Sequence, residues 1–460
     1  MNPFIFRRED IRGIVGQDWN YQDAQNIGAA FGTFLQRFNC LSCFVGRDNR
    51  LSSEKISQNV IAGLYSSGIK VIDLGLATTP QIYWTRYFYG FGLFGSLEVT
   101  GSHNPPEYNG IKPCFKDSTT LIGEDIQELR HIVEEEKFAT GQGELTRQNI
   151  APDYFNDLKQ SLSKLNLSSK KKLKVVVDSG NAVGGLFAPK FYRDLGYTVV
   201  DLHSRLDGTF PNHMPDPAVG SNMAELVAWV RQEKADLGIA FDGDVDRINI
   251  VDETGYVVWP DGIISLLARY FLRQNKGESI LFNTQCSPGL EEDVIAHGGR
   301  PVWVPTGHAT ISNYLQRYKA RLAGEYKGHI YLADVFYGID DAIYVGARIL
   351  QLLANLNDPL SKLLSDVPSY KATGEIAIPT TDEKKFVIAK DVAADFKDKF
   401  FVIDYEGDLR IKFDSGMTDT WGMVRKSDTQ PKLEVYAWAK TDENLTKARD
   451  IMVAEINKYL

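Results

Sequence analysis

Residues 235–252 read ADLGIAFDGDVDRINIVD. Two apolar runs, LGIAF and INIV, each have the length of a buried strand, and between them Asp242, Asp244 and Asp246 alternate along a short loop. Moving toward the N-terminus, SNMAELVAWVRQEK (221–234) has helical spacing and YTVVDL (197–202) reads as a strand. GGLFAPKFYRDLG (184–196) then reads as a helix and KLKVVVD (172–178) as another strand. The order is strand, helix, strand, helix, strand, and the last strand ends in a polar loop.

That order occurs twice more. Before it stand LSCFVGRD (41–48), the helix SSEKISQNVIAGLYSSG (52–68) with a cap expected in its opening serines, KVIDLGL (70–76), TTPQIYWTRYF (78–88) and FGLFGSLEVT (91–100), whose end delivers TGSHNP. After it come SILFNTQC (279–286), SPGLEEDVIAHG (287–298), RPVWVPTG (300–307), HATISNYLQRYK (308–319) and ARLAGEYKGH (320–329). From about residue 367 the pattern changes to strands and a single C-terminal amphipathic helix with Leu445, Ala448, Met452 and Ile456 on one face. The expected fold is α/β: three consecutive α/β domains of similar topology with mixed sheets, plus a C-terminal α+β domain, around a central cleft. The expected bounds are 1–152, 153–255, 256–366 and 367–460.

A net charge of −9 lacks the broad basic face that a nucleic-acid backbone requires, so no nucleic-acid partner is expected. MNPFIFRRED lacks the apolar core of a signal peptide, and no run approaches the roughly 20 apolar residues that span a bilayer, so a cytoplasmic protein without membrane contact is expected. The 4 cysteines include one CxxC, Cys40 and Cys43, with no second pair to complete a zinc site; structural thiols are the simpler reading.

Four loops carry chemistry. Three carboxylates as close as Asp242, Asp244 and Asp246 repel one another unless a cation neutralises them, and hard oxygen ligands favour Mg²⁺. A calcium loop counted from Asp242 fails because Arg247 stands where the turn needs glycine. Ser102 of TGSHNP lies beside His103, but in an extended chain the two side chains point to opposite faces, which argues against a hydrolase pair. A phosphorylated Ser102 would instead supply an oxygen to the metal. RKSDTQP (425–431) offers Arg425, Ser427 and Thr429 in a tight loop suited to a phosphate dianion, though alone it reads equally as a polar hairpin. In GEYKGH (324–329), strand alternation would put Glu325, Lys327 and His329 on one face, where a carboxylate suits sugar hydroxyls and an ammonium suits phosphate. DSGNAVGG (178–185) lacks dinucleotide spacing and reads as a tight turn or packing element.

Taken together, TGSHNP, DGDVDR, GEYKGH and RKSDTQP, with FRREDIRG (6–13) and FPNHMPDP (210–217), resemble the α-D-phosphohexomutases, most closely the phosphomannomutase/phosphoglucomutase branch. The resemblance implies that Ser102 carries the phosphoryl group and that Ser102, Asp242, Asp244 and Asp246 hold Mg²⁺. It implies that Arg247 lies against the phosphoserine or substrate and that Arg12, Lys112 and His329 orient charge and move protons, with His329 as base. Glu325, Lys327, His308, Arg425, Ser427 and Thr429 would bind substrate. The implied reaction moves a phosphoryl group between the 1- and 6-positions of mannose or glucose phosphate through a hexose 1,6-bisphosphate, which also serves as activator. A monomer is expected, with small hexose phosphates as its only partners. The rival within the fold is a phosphoglucosamine mutase, in which alanine usually replaces Gly101; outside catalysis it is a sugar-phosphate sensor, in which Ser102 or the aspartates would be damaged. Lys327 stands where serine is usual and Pro305, before the TGH of His308, where lysine is usual; these two departures are expected to offset each other. Asp428 is expected to turn away from the phosphate.

Overall fold

A computed structural model describes the chain except for residues 91, 116–119, 166, 168–170, 357, 414–415 and 428–429. It divides into two compact units, Met1–Ile263 with Lys327–Leu363, and Ile264–Tyr326 with Leu364–Leu460.

The first unit holds two sheets built on one plan. In the first, β1 (Ile11–Ile14), β2 (Ser42–Arg47), β3 (Lys70–Leu76), β4 (Gly95–Val99), β5 (Tyr108–Cys114) and β6 (Glu144–Arg147) are arranged in the order β1-β5-β4-β2-β3-β6. The strands β4, β2, β3 and β6 run parallel, while β5 is antiparallel to both β4 and β1. The second comprises β7 (Lys174–Asp178), β8 (Thr198–Leu202), β9 (Leu237–Phe241), β10 (Ile248–Asp252) and β11 (Val257–Val258) in the order β11-β10-β9-β7-β8. Again the centre is parallel and β10 is antiparallel to β9. Both mixed sheets therefore place a loaded loop at the carboxyl end of a parallel strand and return it as an antiparallel neighbour. TGSHNP joins β4 to β5, and DGDVDR joins β9 to β10. Val175, Val176 and Val177 are all fully buried, as expected of a strand covered on both faces.

The helix Tyr21–Gln36 starts at a capping box formed by Asn20 and Asp23 and packs closely on the helix Ser53–Ser66. A Cβ on Gly28 would strike the Val60 carbonyl, which is why that crossing needs glycine. The cap expected at the second helix is not formed. Ser52 has helical dihedrals (φ −88°, ψ −17°) and its hydroxyl accepts from Asn109 Nδ2 at 2.8 Å, while Ser53 Oγ donates to Asp48. These serines are drawn into the scaffold of the serine loop instead.

In the second unit β12 (Ser279–Asn283), β13 (Arg300–Val304) and β14 (Leu322–Gly324) run parallel in the order β13-β12-β14. The short β15 (Ile330–Leu332) belongs to the first unit. The C-terminal sheet is antiparallel: β16 (Lys371–Ala372), β17 (Ile376–Pro379), β18 (Phe401–Tyr405), β19 (Asp408–Lys412), β20 (Thr420–Lys426) and β21 (Lys432–Ala439). It carries two helices, not the single one expected. Besides Asp442–Ile456, Lys384–Lys399 buries Ile388, Val392 and Phe396 at four-residue intervals into the core of this sheet. All four cysteines are free and buried. Among the described residues no helix is long and apolar enough to cross a membrane.

Candidate active site

Ser102 is buried and adopts a left-handed backbone, φ +51°, which few residues other than glycine occupy without support. The support comes from Arg50. Its Nη2 donates to the carbonyls of Ser102 and Asn104, both at 2.6 Å, and its Nη1 to those of Pro105 at 2.6 Å and Tyr108 at 3.1 Å. Asp48 orients Arg50 through Nε at 3.2 Å and accepts the Thr100 hydroxyl at 2.8 Å, and Thr100 Oγ1 in turn accepts the Ser102 amide at 2.8 Å. One buried ion pair thus shapes the whole turn.

The left-handed residue overturns the alternation argument about His103. The chain is not extended there, and His103 Nδ1 lies 3.1 Å from Ser102 Oγ. A hydrolase pair still does not result, because the Ser102 hydroxyl donates to Asp242 Oδ2 at 3.0 Å, so His103 Nδ1 meets Oγ as a donor. Burial, then the cations Arg247, Arg12 and Lys327, hold His103 well below the usual histidine value.

Asp242, Asp244 and Asp246 are buried, with ligand oxygens within 4.8 Å of one another. Asp242 Oδ1 is anchored by the amides of Asp246 (3.1 Å) and Arg247 (3.2 Å), which leaves Oδ2 toward Ser102. Lys112 Nζ joins Asp244 Oδ2 at 2.7 Å to Asp246 Oδ2 at 2.6 Å, and Thr79 Oγ1 donates to Asp244 at 2.6 Å. Burial works against the Lys112 charge, but the two aspartates outweigh it and raise the lysine above its ordinary value. Asp242 is pushed well up by burial and then by Asp246 and Asp244. Asp244 Oδ1 is buried with no hydrogen-bond partner. An oxygen-only donor set with an orphaned oxygen and a carboxylate driven toward protonation fits a hard divalent cation.

Arg247 Nε donates to His329 Nε2 at 2.9 Å, and His329 Nδ1 bonds Asp340 Oδ2 at 2.8 Å. With Nε2 as acceptor, the proton sits on Nδ1 and Asp340 fixes that tautomer. Arg12 is held by Asp10 Oδ2 at 2.5 Å and donates to Asn104 Oδ1 at 2.9 Å. The first unit therefore brings together Ser102, the three aspartates, Lys112, Arg12, Arg247 and His329. GEYKGH is not strand-like. β14 ends at Gly324, residues 326–327 form a turn, and Gly328 has φ +103°, so alternation does not relate Glu325, Lys327 and His329.

In the second unit Glu325 is buried and accepts from Asn283 Nδ2 at 3.4 Å, and His308 opens the helix His308–Tyr318. Arg425 is buried, its Nε on Asp408 Oδ1 at 3.1 Å and its Nη1 on Glu434 Oε2 at 3.0 Å, so its charge is already shared with two carboxylates. Asp408 Oδ2 also accepts the Thr306 amide at 3.0 Å and the Thr284 hydroxyl at 2.8 Å, linking the loops before His308 and around Arg425. Ser427 is buried, and its carbonyl accepts from Lys385 Nζ at 2.7 Å. Thr429 and Asp428 lie outside the described residues.

Comparison with known proteins gives the family. The family described as phosphoglucomutase/phosphomannomutase, alpha/beta/alpha domains I, II and III, matches residues 3–140, 152–255 and 259–370 in turn. The chain belongs to that family. It is an isomerase of the phosphohexomutase class. A phosphomannomutase/phosphoglucomutase of Pseudomonas aeruginosa is 37% identical over 97% of this chain and 94% of its own length. A phosphoglucomutase of Neisseria meningitidis is 35% identical over 98% and 96%. A phosphoglucomutase/phosphomannomutase family protein of Burkholderia thailandensis superposes with a TM-score of 0.89 at 32% identity, covering 100% of this chain and 98% of the other.

Within this phosphohexomutase, the residues that escaped sequence reasoning are those that hold others in place: Asp48, Arg50, Thr79, Asp340, Asp408 and Glu434. Their only signal is polarity, in a loop for Asp48 and Arg50, at the start of a helix or strand for Thr79 and Asp408 and within a strand for Glu434, which solvated residues share. Gly101 gains a physical reason, since a Cβ there would lie 2.7 Å from Arg50 Cζ and Nε.

Proposed function

We propose that the protein transfers a phosphoryl group reversibly between the 1- and 6-positions of mannose or glucose phosphates, with Ser102 as carrier and hexose 1,6-bisphosphate as intermediate and activator. The observation that carries this reading is the Ser102 hydroxyl 3.0 Å from Asp242 Oδ2, at the edge of a buried cluster of three carboxylates that the single charge of Lys112 neutralises only in part. Asp242, Asp244, Asp246 and phosphorylated Ser102 would hold Mg²⁺, which when bound supplies positive charge to the transferring phosphoryl oxygens.

In the forward half-reaction the phosphorus–Ser102 oxygen bond breaks and a bond forms to a substrate hydroxyl oxygen. The hydroxyl proton passes to His329 Nε2 as Arg247 Nε, which donates to that nitrogen here, turns to the phosphoryl oxygens, while Asp340 keeps the other ring proton on Nδ1. The Ser102 oxygen leaves as an alkoxide in hydrogen-bond reach of His103 Nδ1. Arg247 and Arg12 stabilise charge on the phosphoryl group. The return half-reaction phosphorylates Ser102 from the other end of the bisphosphate. Glu325 would bind sugar hydroxyls, and His308, Lys327, Arg425, Ser427 and Thr429 the non-reacting phosphate. These roles accompany the four-domain division at 152, 255 and 366, action as a monomer, and a cytoplasmic location. Turnover of mannose 1-phosphate, glucose 1-phosphate and glucosamine 1-phosphate with Mg²⁺ and bisphosphate tests the reading: the first two are expected to react well, and preference for the third would overturn the substrate assignment.

A further inference from the structure

Away from the aspartate loop, at the end of β7, Asp178, His203 and His213 bring three ligand atoms within 4.8 Å of one another. The residues come from separate segments: the end of β7, the residue after β8, and the FPNHMPDP turn. Asp178 is buried, with Oδ1 committed to the Gly180 amide at 3.0 Å and Oδ2 at 3.0 Å from His213 Nε2. His213 Nδ1 faces the Met214 carbonyl at 2.9 Å. Both ring nitrogens of His213 therefore face groups that only accept, yet a neutral imidazole has one N–H to give. His203 presents Nε2 to Glu225 Oε2 at 3.0 Å, and its backbone is left-handed, φ +49°. The two imidazole rings meet edge to face with centroids 5.3 Å apart.

We propose that Asp178, His203 and His213, with Glu225 beside His203, form a second metal site, specific for a divalent transition ion of the Zn²⁺ type. The Met214 carbonyl takes the Nδ1–H of His213 and leaves the Nε2 lone pair for the ion, which is the usual outer support of a metal-binding histidine. Tetrahedral bonds of about 2.0–2.1 Å put neighbouring ligand atoms about 3.3 Å apart, close to the observed spacing of Nε2 and Oδ2. Two imidazoles and a carboxylate select a borderline-soft ion, whereas the oxygen-only cluster at Asp242 selects a hard one. An ion here ties the FPNHMPDP turn to the sheet. Pro215 of that turn lies beneath the aspartate loop, its Cγ 3.5 Å from where a Cβ on Gly243 would sit.

The test uses the full chain in excess Mg²⁺, which keeps the oxygen cluster occupied, with Co²⁺ as a spectroscopic probe and Zn²⁺ as competitor. The expected result is retention of a single Co²⁺ per chain in equilibrium dialysis, with visible absorption bands of low-coordinate cobalt that Zn²⁺ abolishes. His203→Asn, chosen because asparagine tolerates a left-handed backbone, weakens binding about tenfold or more while mutase turnover with Mg²⁺ stays that of the wild type. Glu225→Gln, on an exposed helix turn, weakens it less. Two results overturn the proposal: no Co²⁺ retained by the wild type in excess Mg²⁺, which would make the cluster a pair of imidazolium–carboxylate contacts, or wild-type affinity in His203→Asn.

Discussion

Arg50→Met is the perturbation with the most to say about how the site is built. The side chain is buried and its guanidinium makes five hydrogen bonds, one to Asp48 and four to carbonyls of residues 102, 104, 105 and 108. Methionine fills much of the same volume but offers no donor. Breaking one member of a buried ion pair costs about 3–5 kcal/mol because the partner charge is left unpaired. The carbonyls add about 1–3 kcal/mol each only where water cannot reach them. Pro105 is exposed and Asn104 half-buried, so water can replace part of that loss, and a total near 5 kcal/mol is expected. Because the lost bonds hold Ser102 in its left-handed conformation, activity should fall further than stability explains. The assay is urea unfolding together with kcat at a temperature where the variant is folded. Arg50→Lys, which keeps the charge beside Asp48 but not the planar fork, should recover stability more than kcat. If Arg50→Met unfolds at the wild-type urea concentration and turns over normally, the ion pair does not shape the turn.

Other consequences can be checked singly. Asp340→Asn removes the carboxylate that fixes the His329 tautomer, and kcat should fall about 100-fold with little change in KM; an unchanged kcat would remove His329 from the proton path. Lys327→Ser should raise KM for the substrate phosphate several-fold, and an unchanged KM would show that Lys327 does not make good the cation absent at Pro305. Asp341 is buried and its carboxyl is pushed up to about 6 despite the Tyr154 hydroxyl donating to it at 2.6 Å. The folded state thus holds a proton that the unfolded chain has lost, so this carboxyl's contribution to stability declines as pH rises from about 4 to about 6 and is flat beyond. Unfolding of Asp341→Asn relative to wild type should shift in the variant's favour by up to about 3 kcal/mol across that range, and a pH-independent difference would contradict the shift.

What could be read in the sequence follows from what each segment does. DGDVDR stood out because three carboxylates stand between two apolar runs, a pattern a solvated loop seldom needs. The repeated order of strands and helices was legible for the same reason, since parallel strands buried on both faces are continuously apolar. β5 was not legible: it carries Asn109 and Lys112 into buried positions because those side chains serve the site, and this breaks the strand pattern. The helix Lys384–Lys399 has its Ile388, Val392 and Phe396 stripe, but Phe386 and Val387 are exposed and blur it. The His103 and GEYKGH inferences failed where a residue with positive φ, Ser102 or Gly328, breaks an extended chain, which side-chain pattern does not register.

The central claim is that Ser102 gives and takes a phosphoryl group, and the direct measurement is intact mass of the enzyme before and after single turnover with unlabelled hexose monophosphate. Enzyme treated with hexose 1,6-bisphosphate should be heavier by a single phosphoryl group carried on Ser102, should lose it to substrate as bisphosphate forms, and should regain it on completing the cycle; Ser102→Ala should show none of this and no mutase activity. Full turnover by Ser102→Ala, or a phosphoryl group carried on another residue, would contradict the account.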